Sequence, residues 1–140
     1  MKLSIKNIAV ATLFTLSTGV MAEVSVITHP SNGASIDAKT ISKIFLGKTK
    51  KFPGGVEAVP IEQSASASAH VEFHENVTHK KPSQLTSYWS RIVFTGKGQP
   101  PKEVGSDEEV VSLVSRNPNM IGYVDSSAVN DSVKVVLTAP

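Results

Sequence analysis

Two histidines, His70 and His74, are the side chains of this sequence most suited to metal chemistry. They lie four residues apart in a segment that we predict to be helical, so both imidazoles share one face. Such a pair suits a zinc or copper ion, but a closed site needs a third and a fourth ligand that the spacing does not supply. Glu72 and Glu75 fall on other faces, and His79 lies beyond the helix. We therefore predict no metal site and a solvated face whose charge changes with pH, with metal binding by the pair as the alternative.

Three serines, Ser64, Ser66 and Ser68, stand where the same helix should begin. The first N–H groups of a helix have no partner within it, and the helix dipole favours negative charge there. Hydroxyl groups beside those N–H groups could complete a site for an anion. The alternative is structural, because serine is a favoured N-cap and the other two could fill a polar turn. The sequence favours the structural interpretation, and the three serines are the candidate anion-binding residues.

The motifs of common enzyme classes are missing from the sequence. It contains no G-x-S-x-G, no H-E-x-x-H and no P-loop pattern, and it has no cysteine. Asp125 follows an apolar strand at a position where sites of α/β proteins gather. A single carboxylate without a paired acid, base or nucleophile is not a mechanism, so we expect Asp125 to cap the serine-rich turn after it. The sequence predicts neither an enzyme nor a cofactor.

The first 22 residues resemble a cleavable export signal. Lys2 and Lys6 form a short positive region before an apolar stretch at residues 8–16, and Val20-Met21-Ala22 is a small-residue cleavage pattern. The stretch is shorter than the roughly 20 apolar residues of a transmembrane helix. We predict a signal peptide over residues 1–22, a periplasmic location and no membrane insertion once the signal is removed. The alternative is an N-terminal helix packed on the domain.

Removing the signal changes the charge of the protein. The chain has 14 lysines and arginines against 12 aspartates and glutamates, and the signal carries two of the lysines. Residues 23–140 are therefore formally neutral, which removes the argument from composition for binding nucleic acid or anionic membranes. Their length fits one domain and not two.

Strand and helix patterns alternate along this domain, which predicts an α/β layer architecture. We predict strands over residues 24–27, 56–61, 121–124 and 133–137. We predict helices over residues 38–46, 64–77, 82–93 and 107–117. Asp37 should cap the start of the first of these helices, and Ser106 should open the last one as part of a capping box. Pro60 should place the second strand towards an edge of the sheet. The third helix should bury a stripe made of Leu85, Tyr88, Trp89, Ile92 and Val93, with Phe94 also in the core.

Three stretches, in order, resemble the phosphate-binding periplasmic proteins of ABC importers. Residues 44–48, Ile-Phe-Leu-Gly-Lys, resemble a helix end of that family, and residues 94–98, Phe-Thr-Gly-Lys-Gly, resemble its Gly-Gly-Lys-Gly loop. Residues 117–124 are similar to its Pro-Gly-Ala-Ile-Gly-Tyr-Val segment. The resemblance implies a single periplasmic-binding-protein-like lobe, a mixed sheet flanked by helices that corresponds to the second of the family's two lobes.

The sequence departs from this family at the loop that grips phosphate. The family's Arg-x-Asp-Gly-Ser-Gly-Thr corresponds to residues 63–69, where Gln63 replaces the arginine and Ala65 the aspartate. Ala67 and Ala69 replace the two hydroxyl residues. The resemblance implies a non-enzymatic binding module linked to uptake of phosphate or another oxyanion. The alternative is a periplasmic interaction or assembly protein without a small-molecule ligand, in which the face of the missing lobe meets a partner protein.

Overall fold

A mixed β-sheet flanked by helices forms the domain in the computed structural model, which describes residues 23–140. The expected signal peptide, residues 1–22, lies outside the described residues. The strands are β1 (Val24–Thr28), β2 (Val59–Gln63), β3 (Lys102–Val104), β4 (Met120–Asp125) and β5 (Lys134–Ala139). The helices are α1 (Ala38–Phe45), α2 (Ser68–Phe73), α3 (Pro82–Phe94) and α4 (Asp107–Arg116), with a π-helical turn at His74–Thr78 and a 3-10 turn at Ser126–Ala128. The predicted α/β class is confirmed. None of these helices in residues 23–140 has the length and apolar content needed to cross a bilayer.

The sheet has the strand order β3-β2-β4-β1-β5. β2 runs parallel to β3 and to β4, whereas β1 runs antiparallel to β4 and to β5. Because β2, β3 and β4 are parallel, their carboxyl ends meet at one edge of the sheet, where α2 and α4 begin. This edge is where open α/β sheets usually bind ligands.

Apolar side chains cover both faces of the sheet. Val26 and Tyr123 pack with Phe45 of α1 and Phe73 of α2 on one face. On the other face, the β2 and β4 residues pack against α4, whose buried residues are Val110, Val111 and Val114. Val110 of α4 packs directly against Gly122, where a Cβ atom would lie 2.6 Å from Val110 Cγ1.

Two helices begin at the caps that the sequence predicts. The Asp37 carboxylate accepts a hydrogen bond from the N–H of Thr40 at 2.8 Å and starts α1. The Ser106 hydroxyl accepts one from the N–H of Glu109 at 3.2 Å and starts α4. These short polar side chains satisfy N–H groups that the helix leaves without partners.

The second strand lies inside the sheet, so the prediction of an edge position from Pro60 is wrong. β2 has β3 on one side and β4 on the other. The missing N–H of Pro60 is tolerated because β3 pairs only with Ile61, Glu62 and Gln63 and starts one residue later. β3 itself is a strand of three residues that the sequence pattern did not predict.

Helix α3 is much more exposed than its apolar residues predict. Leu85 is buried, but Tyr88, Trp89 and Ile92 are only half-buried. Val93 is 50% exposed and Phe94 is 92% exposed, so the predicted core position of these two residues is wrong. The helix is held at its middle, where the Tyr88 hydroxyl donates a hydrogen bond to the Leu46 carbonyl at 2.6 Å.

Candidate functional site

Glu62, His70 and His74 form a buried polar cluster at the carboxyl end of β2, which we call the Glu–His cluster. Glu62 is the penultimate residue of β2, His70 lies on α2, and His74 begins the π-helical turn that continues α2. His70 is 6% exposed and His74 is 2% exposed. The predicted solvated face is therefore wrong: the histidines lie on the side of the helix that also carries Phe73 and Val77 into the core.

Both imidazoles contact the same carboxylate. The His74 Nε2 atom lies 2.9 Å from Glu62 Oε1 and 3.0 Å from Oε2. The His70 Nε2 atom lies 3.2 Å from Glu62 Oε2. An ionised carboxylate only accepts hydrogen bonds, so each Nε2 atom carries a proton in this arrangement. Burial raises the pKa of Glu62 and is the largest single influence on it, but the hydrogen bonds and charges of His70 and His74 together lower it by more, so the net pKa lies below its ordinary value of 4.5.

The two imidazoles differ in what their other nitrogen contacts. The Nδ1 atom of His74 lies 2.7 Å from the Thr78 hydroxyl oxygen, which also lies 3.1 Å from the His74 carbonyl. The Nδ1 atom of His70 is buried and has no hydrogen-bond partner among the described residues. Thr78 therefore fixes the ring of His74, whereas His70 is positioned by packing and by Glu62.

An aromatic wall closes the inner side of the cluster. The rings of Phe73 and Tyr123 stack with centroids 4.2 Å apart, and the His74 ring meets the Tyr123 ring edge-on at 6.1 Å. The Tyr123 hydroxyl accepts a hydrogen bond from the N–H of Gln63 at 3.2 Å. Burial and the nearby Glu62 carboxylate raise the pKa of Tyr123, so this phenol stays neutral.

A cavity of about 240 Å³ opens on the outer side of the cluster. Glu62 and His70 belong to its wall, and the remaining lining residues are Ala65, Pro82, Leu85, Thr86, Trp89, Pro100, Pro101 and Glu103. The lining thus contains two carboxylates and one imidazole, and neither lysine nor arginine. Such a wall suits a cation better than an anion.

The three candidate anion-binding serines lie at the outer rim of this edge, and all three are exposed. The hydroxyl oxygens of Ser64 and Ser66 are 3.0 Å apart and bond to each other. The N-cap of α2 is Ala67, and no side chain caps the helix. The expected serine N-cap is therefore wrong, although Ser64 and Ser66 do form the polar turn expected of the remaining serines. The first N–H groups of α2 remain without a side-chain partner.

Gln63, which stands where the importer family has its arginine, is turned inward. Its amide nitrogen donates to the carboxylate of Asp107 at 2.7 Å and to the carbonyl of Tyr123 at 3.0 Å. The same Asp107 oxygen accepts the N–H of Asp125 at 3.2 Å. Gln63 therefore links β2 to α4 and β4. It does not point towards a ligand at the turn that carries Ser64, Ser66 and Ser68, which we call the serine turn.

The carboxyl edge of the sheet is acidic. Asp107 and Asp125 lie there together, and burial followed by the charges of Asp125 and Glu75 raises the pKa of Glu72. Asp125 also accepts hydrogen bonds from the N–H and hydroxyl of Ser127, which lowers its pKa. This confirms the prediction that Asp125 caps the following turn. Negative charge at this edge opposes tight binding of an oxyanion.

The sequence pattern predicts that His70 and His74 share a helix face, but it does not predict Glu62 as the partner of both imidazoles. Glu62 lies directly after the predicted second strand, residues 56–61, so nothing in the pattern predicts that its side chain is buried. The sequence feature that could have identified Glu62 is weak, since it is only a glutamate at the end of an apolar strand. The structure does not bring Glu72, Glu75 or His79 into the cluster.

Solved structures with the same fold confirm the resemblance seen in the sequence. A candidate phosphate ABC transporter substrate-binding protein of Clostridium perfringens, with bound phosphate, superposes with a TM-score of 0.63 at 24% identity over 82% of this chain. An ABC-type phosphate transport receptor of Vibrio cholerae gives 0.60 at 14%, and PstS of Borrelia burgdorferi gives 0.59 at 16%, each over 82% of this chain.

The chain spans less than half the length of these neighbours. It covers 45% of the Clostridium protein, 46% of the Vibrio protein and 47% of the Borrelia protein. No protein-family model matches the sequence, and no curated protein matches it either. The described residues thus have the fold of a single lobe of a periplasmic-binding-protein-like architecture.

Proposed function

We propose that this protein is a non-enzymatic binding module that is exported to the periplasm and takes part in uptake of phosphate or another oxyanion. The observation that carries the proposal is the fold of the described residues, which matches one lobe of proteins named as phosphate receptors. Those neighbours are described as substrate-binding proteins and receptors, which supports a role without catalysis.

The serine turn is the place where an oxyanion would bind in this proposal. Ser64, Ser66 and Ser68 are exposed beside the uncapped start of α2, at the carboxyl end of a parallel strand. Their hydroxyls and the free N–H groups are neutral donors. Charge-assisted hydrogen bonds are roughly twice as strong as neutral ones, and this turn lacks the arginine of the importer loop. We therefore expect weak binding that competing salt reduces further.

Calorimetric titration tests the oxyanion proposal. The chain is purified from the periplasmic fraction of an expressing bacterium and titrated with phosphate and sulfate at low ionic strength. Binding should be lost in the triple variant Ser64→Ala, Ser66→Ala, Ser68→Ala. A matched variant that replaces the exposed serines of α3 by alanine, at positions 83, 87 and 90, should bind as the wild type does. No heat with either anion would refute the oxyanion role.

Export is tested on the same preparation by its mass. Cleavage of the predicted signal peptide should leave a chain that begins at Glu23. A cytoplasmic product that retains residues 1–22 would contradict the periplasmic location.

A second candidate function, an interaction or assembly protein, is favoured by the exposed apolar end of α3. Val93 and Phe94 are exposed, and Trp89 and Ile92 beside them are half-buried. Exposed apolar groups of this kind mark protein contacts. The chain spans less than half the length of the solved structures that it matches, so a second copy of the chain is the partner that we propose for this end.

Light scattering after size exclusion separates the two candidates. Self-association should give a dimer that the double variant Val93→Ser, Phe94→Ser disrupts. The control Val56→Ser, at a position that is 58% exposed on another part of the surface, should leave the dimer intact. A wild-type monomer at all accessible concentrations would exclude the second copy, and co-purification of a different chain would then point to a heteromeric assembly.

A further inference from the structure

We propose that the Glu–His cluster binds a divalent transition-metal ion, with zinc as the best fit, through Glu62, His70 and His74. One nitrogen or oxygen atom from each of the three residues lies within 4.8 Å of the others. Two imidazoles and one carboxylate form a ligand set that zinc uses when a fourth position stays open. This site is independent of the oxyanion role of the serine turn.

The distances from both imidazoles to Glu62 are already close to those of a tetrahedral site. Ligand atoms about 2.0–2.1 Å from a tetrahedral zinc ion lie roughly 3.3–3.4 Å from one another. The Nε2 atoms of His70 and His74 lie 3.2 Å and 2.9 Å from the nearest Glu62 oxygen. A metal ion would therefore replace the two bridging protons after an outward shift of a few tenths of an ångström at the contacts to Glu62.

Thr78 allows His74 to bind either a proton or a metal without leaving a polar atom unpaired. When the His74 Nε2 atom donates to Glu62, the Thr78 hydroxyl can donate to Nδ1, which lies 2.7 Å away. When Nε2 binds a metal, Nδ1 carries the proton and donates to Thr78, whose own hydroxyl donates to the His74 carbonyl at 3.1 Å. An outer partner of this kind orients most metal-binding histidines.

His70 has no such partner, since its Nδ1 atom is buried and unpaired among the described residues. We therefore expect His74 to be the stronger imidazole ligand. His70 and Glu62 also line the cavity of about 240 Å³, whereas His74 lies behind them. The ion would enter through this cavity, and its fourth position would face it and hold water. Glu103 on the same wall adds negative charge along the path.

Cobalt and zinc titrations test the proposal on the chain purified without a histidine tag. One equivalent of Co²⁺ should give the visible absorption of a four- or five-coordinate site, and one equivalent of Zn²⁺ should displace it. Zinc should also raise the melting temperature of the protein, because an ion that binds the folded state alone stabilises it. Absence of both the cobalt spectrum and the zinc-induced shift would overturn the proposal and leave the cluster as a buried hydrogen-bond network.

Three variants locate the site. Glu62→Gln and His74→Gln should each weaken zinc binding at least about 100-fold, because each removes a ligand of the metal. Thr78→Val should weaken it about 10- to 100-fold, which is the usual effect of losing an outer-shell partner. The matched control His29→Gln, His79→Gln removes the other two histidines of the chain and should bind zinc normally.

The control variant also keeps the proposal falsifiable if a ligand substitution prevents folding. Circular dichroism of each metal-free variant shows whether it folds. Zinc binding that disappears with His29 and His79 would place the ion elsewhere and overturn the proposal. Unchanged affinity in a folded Thr78→Val variant would contradict the role assigned to Thr78 and, with it, the geometry of metal binding at His74.

Discussion

Replacing Glu62 by glutamine is the substitution that tests the energetics of the Glu–His cluster most directly. Glutamine keeps the shape of the side chain and one acceptor oxygen but removes the negative charge. Glu62, His70 and His74 are all buried, and His74, which lies behind the cavity, cannot replace its lost partner with bulk water. We therefore expect the metal-free protein to lose stability.

The expected loss at pH 7 is about 2–4 kcal/mol. Hydrogen bonds to charged groups contribute about 1.5–3 kcal/mol each, and breaking a buried ion pair by removing one partner costs about 3–5 kcal/mol. The upper figure does not apply in full, because glutamine has the shape of glutamate and leaves no cavity at the end of the strand. Glutamine also retains one neutral hydrogen bond to the imidazoles.

Urea unfolding measures this loss. The change is followed by circular dichroism and by the fluorescence of Trp89, the single tryptophan, in buffer with a chelator so that no metal contributes. The control Glu75→Gln changes an exposed glutamate on the turn that carries His74, and it should alter the free energy of unfolding by less than about 0.5 kcal/mol. A stability of Glu62→Gln equal to that of the wild type would refute our account of the cluster.

The contribution of Glu62 to the free energy of unfolding should decrease at low pH. The pKa of Glu62 in the folded protein lies below the ordinary value of 4.5. The charged carboxylate therefore contributes its full stabilisation above pH 4.5, and this contribution is lost as the pH falls through the folded-state pKa. The difference in stability between wild type and Glu62→Gln should shrink in that range. A difference that grows towards low pH would contradict the assignment.

Three further predictions concern packing, capping and the surface. Gly122→Ala should lower the free energy of unfolding by about 1–3 kcal/mol, because the new methyl group would collide with Val110 in the core. An unchanged melting temperature would contradict this, since it would mean that α4 can shift to accept the methyl group at no cost. Ser106→Ala should cost about 0.5–2 kcal/mol in urea unfolding, since the hydroxyl caps the N–H of Glu109, and Ser106→Asp should restore most of it. Phe94→Ser should change the stability of the monomer by less than about 0.5 kcal/mol, as its side chain is exposed; a large loss would mean that Phe94 packs on the domain in solution.

Local patterns predicted the elements of this fold well. The polar residues Asp37 and Ser106 mark helix starts, because a cap needs only a short side chain and the next turn of the same chain. The strands near residues 24 and 121 follow from their apolar runs. The order of the strands, and the place of β2 inside the sheet despite Pro60, depend on long-range pairing that a local pattern does not contain.

The exposure of α3 is the feature of the fold that differs most from the sequence pattern. Its apolar residues are those of a buried helix, yet Val93 and Phe94 face outward. A helical period shows which residues share a face, but only the arrangement of the whole chain shows whether that face is covered. Here α3 is anchored to the rest of the domain by the buried Leu85 and by the hydrogen bond from Tyr88 to the Leu46 carbonyl. The last turn of the helix, which carries Val93 and Phe94, lies beyond these anchors.

The sequence by itself determined that His70 and His74 share one face, since residues four apart in a helix always do. Only the tertiary structure decided that this face is buried and that Glu62 lies between the two imidazoles. The physical reason is that β2 and α2 are joined by a short turn, so the end of the strand and the second turn of the helix meet in space. Burial then makes one carboxylate the common partner of both rings, and this converts two unremarkable histidines into a candidate metal site.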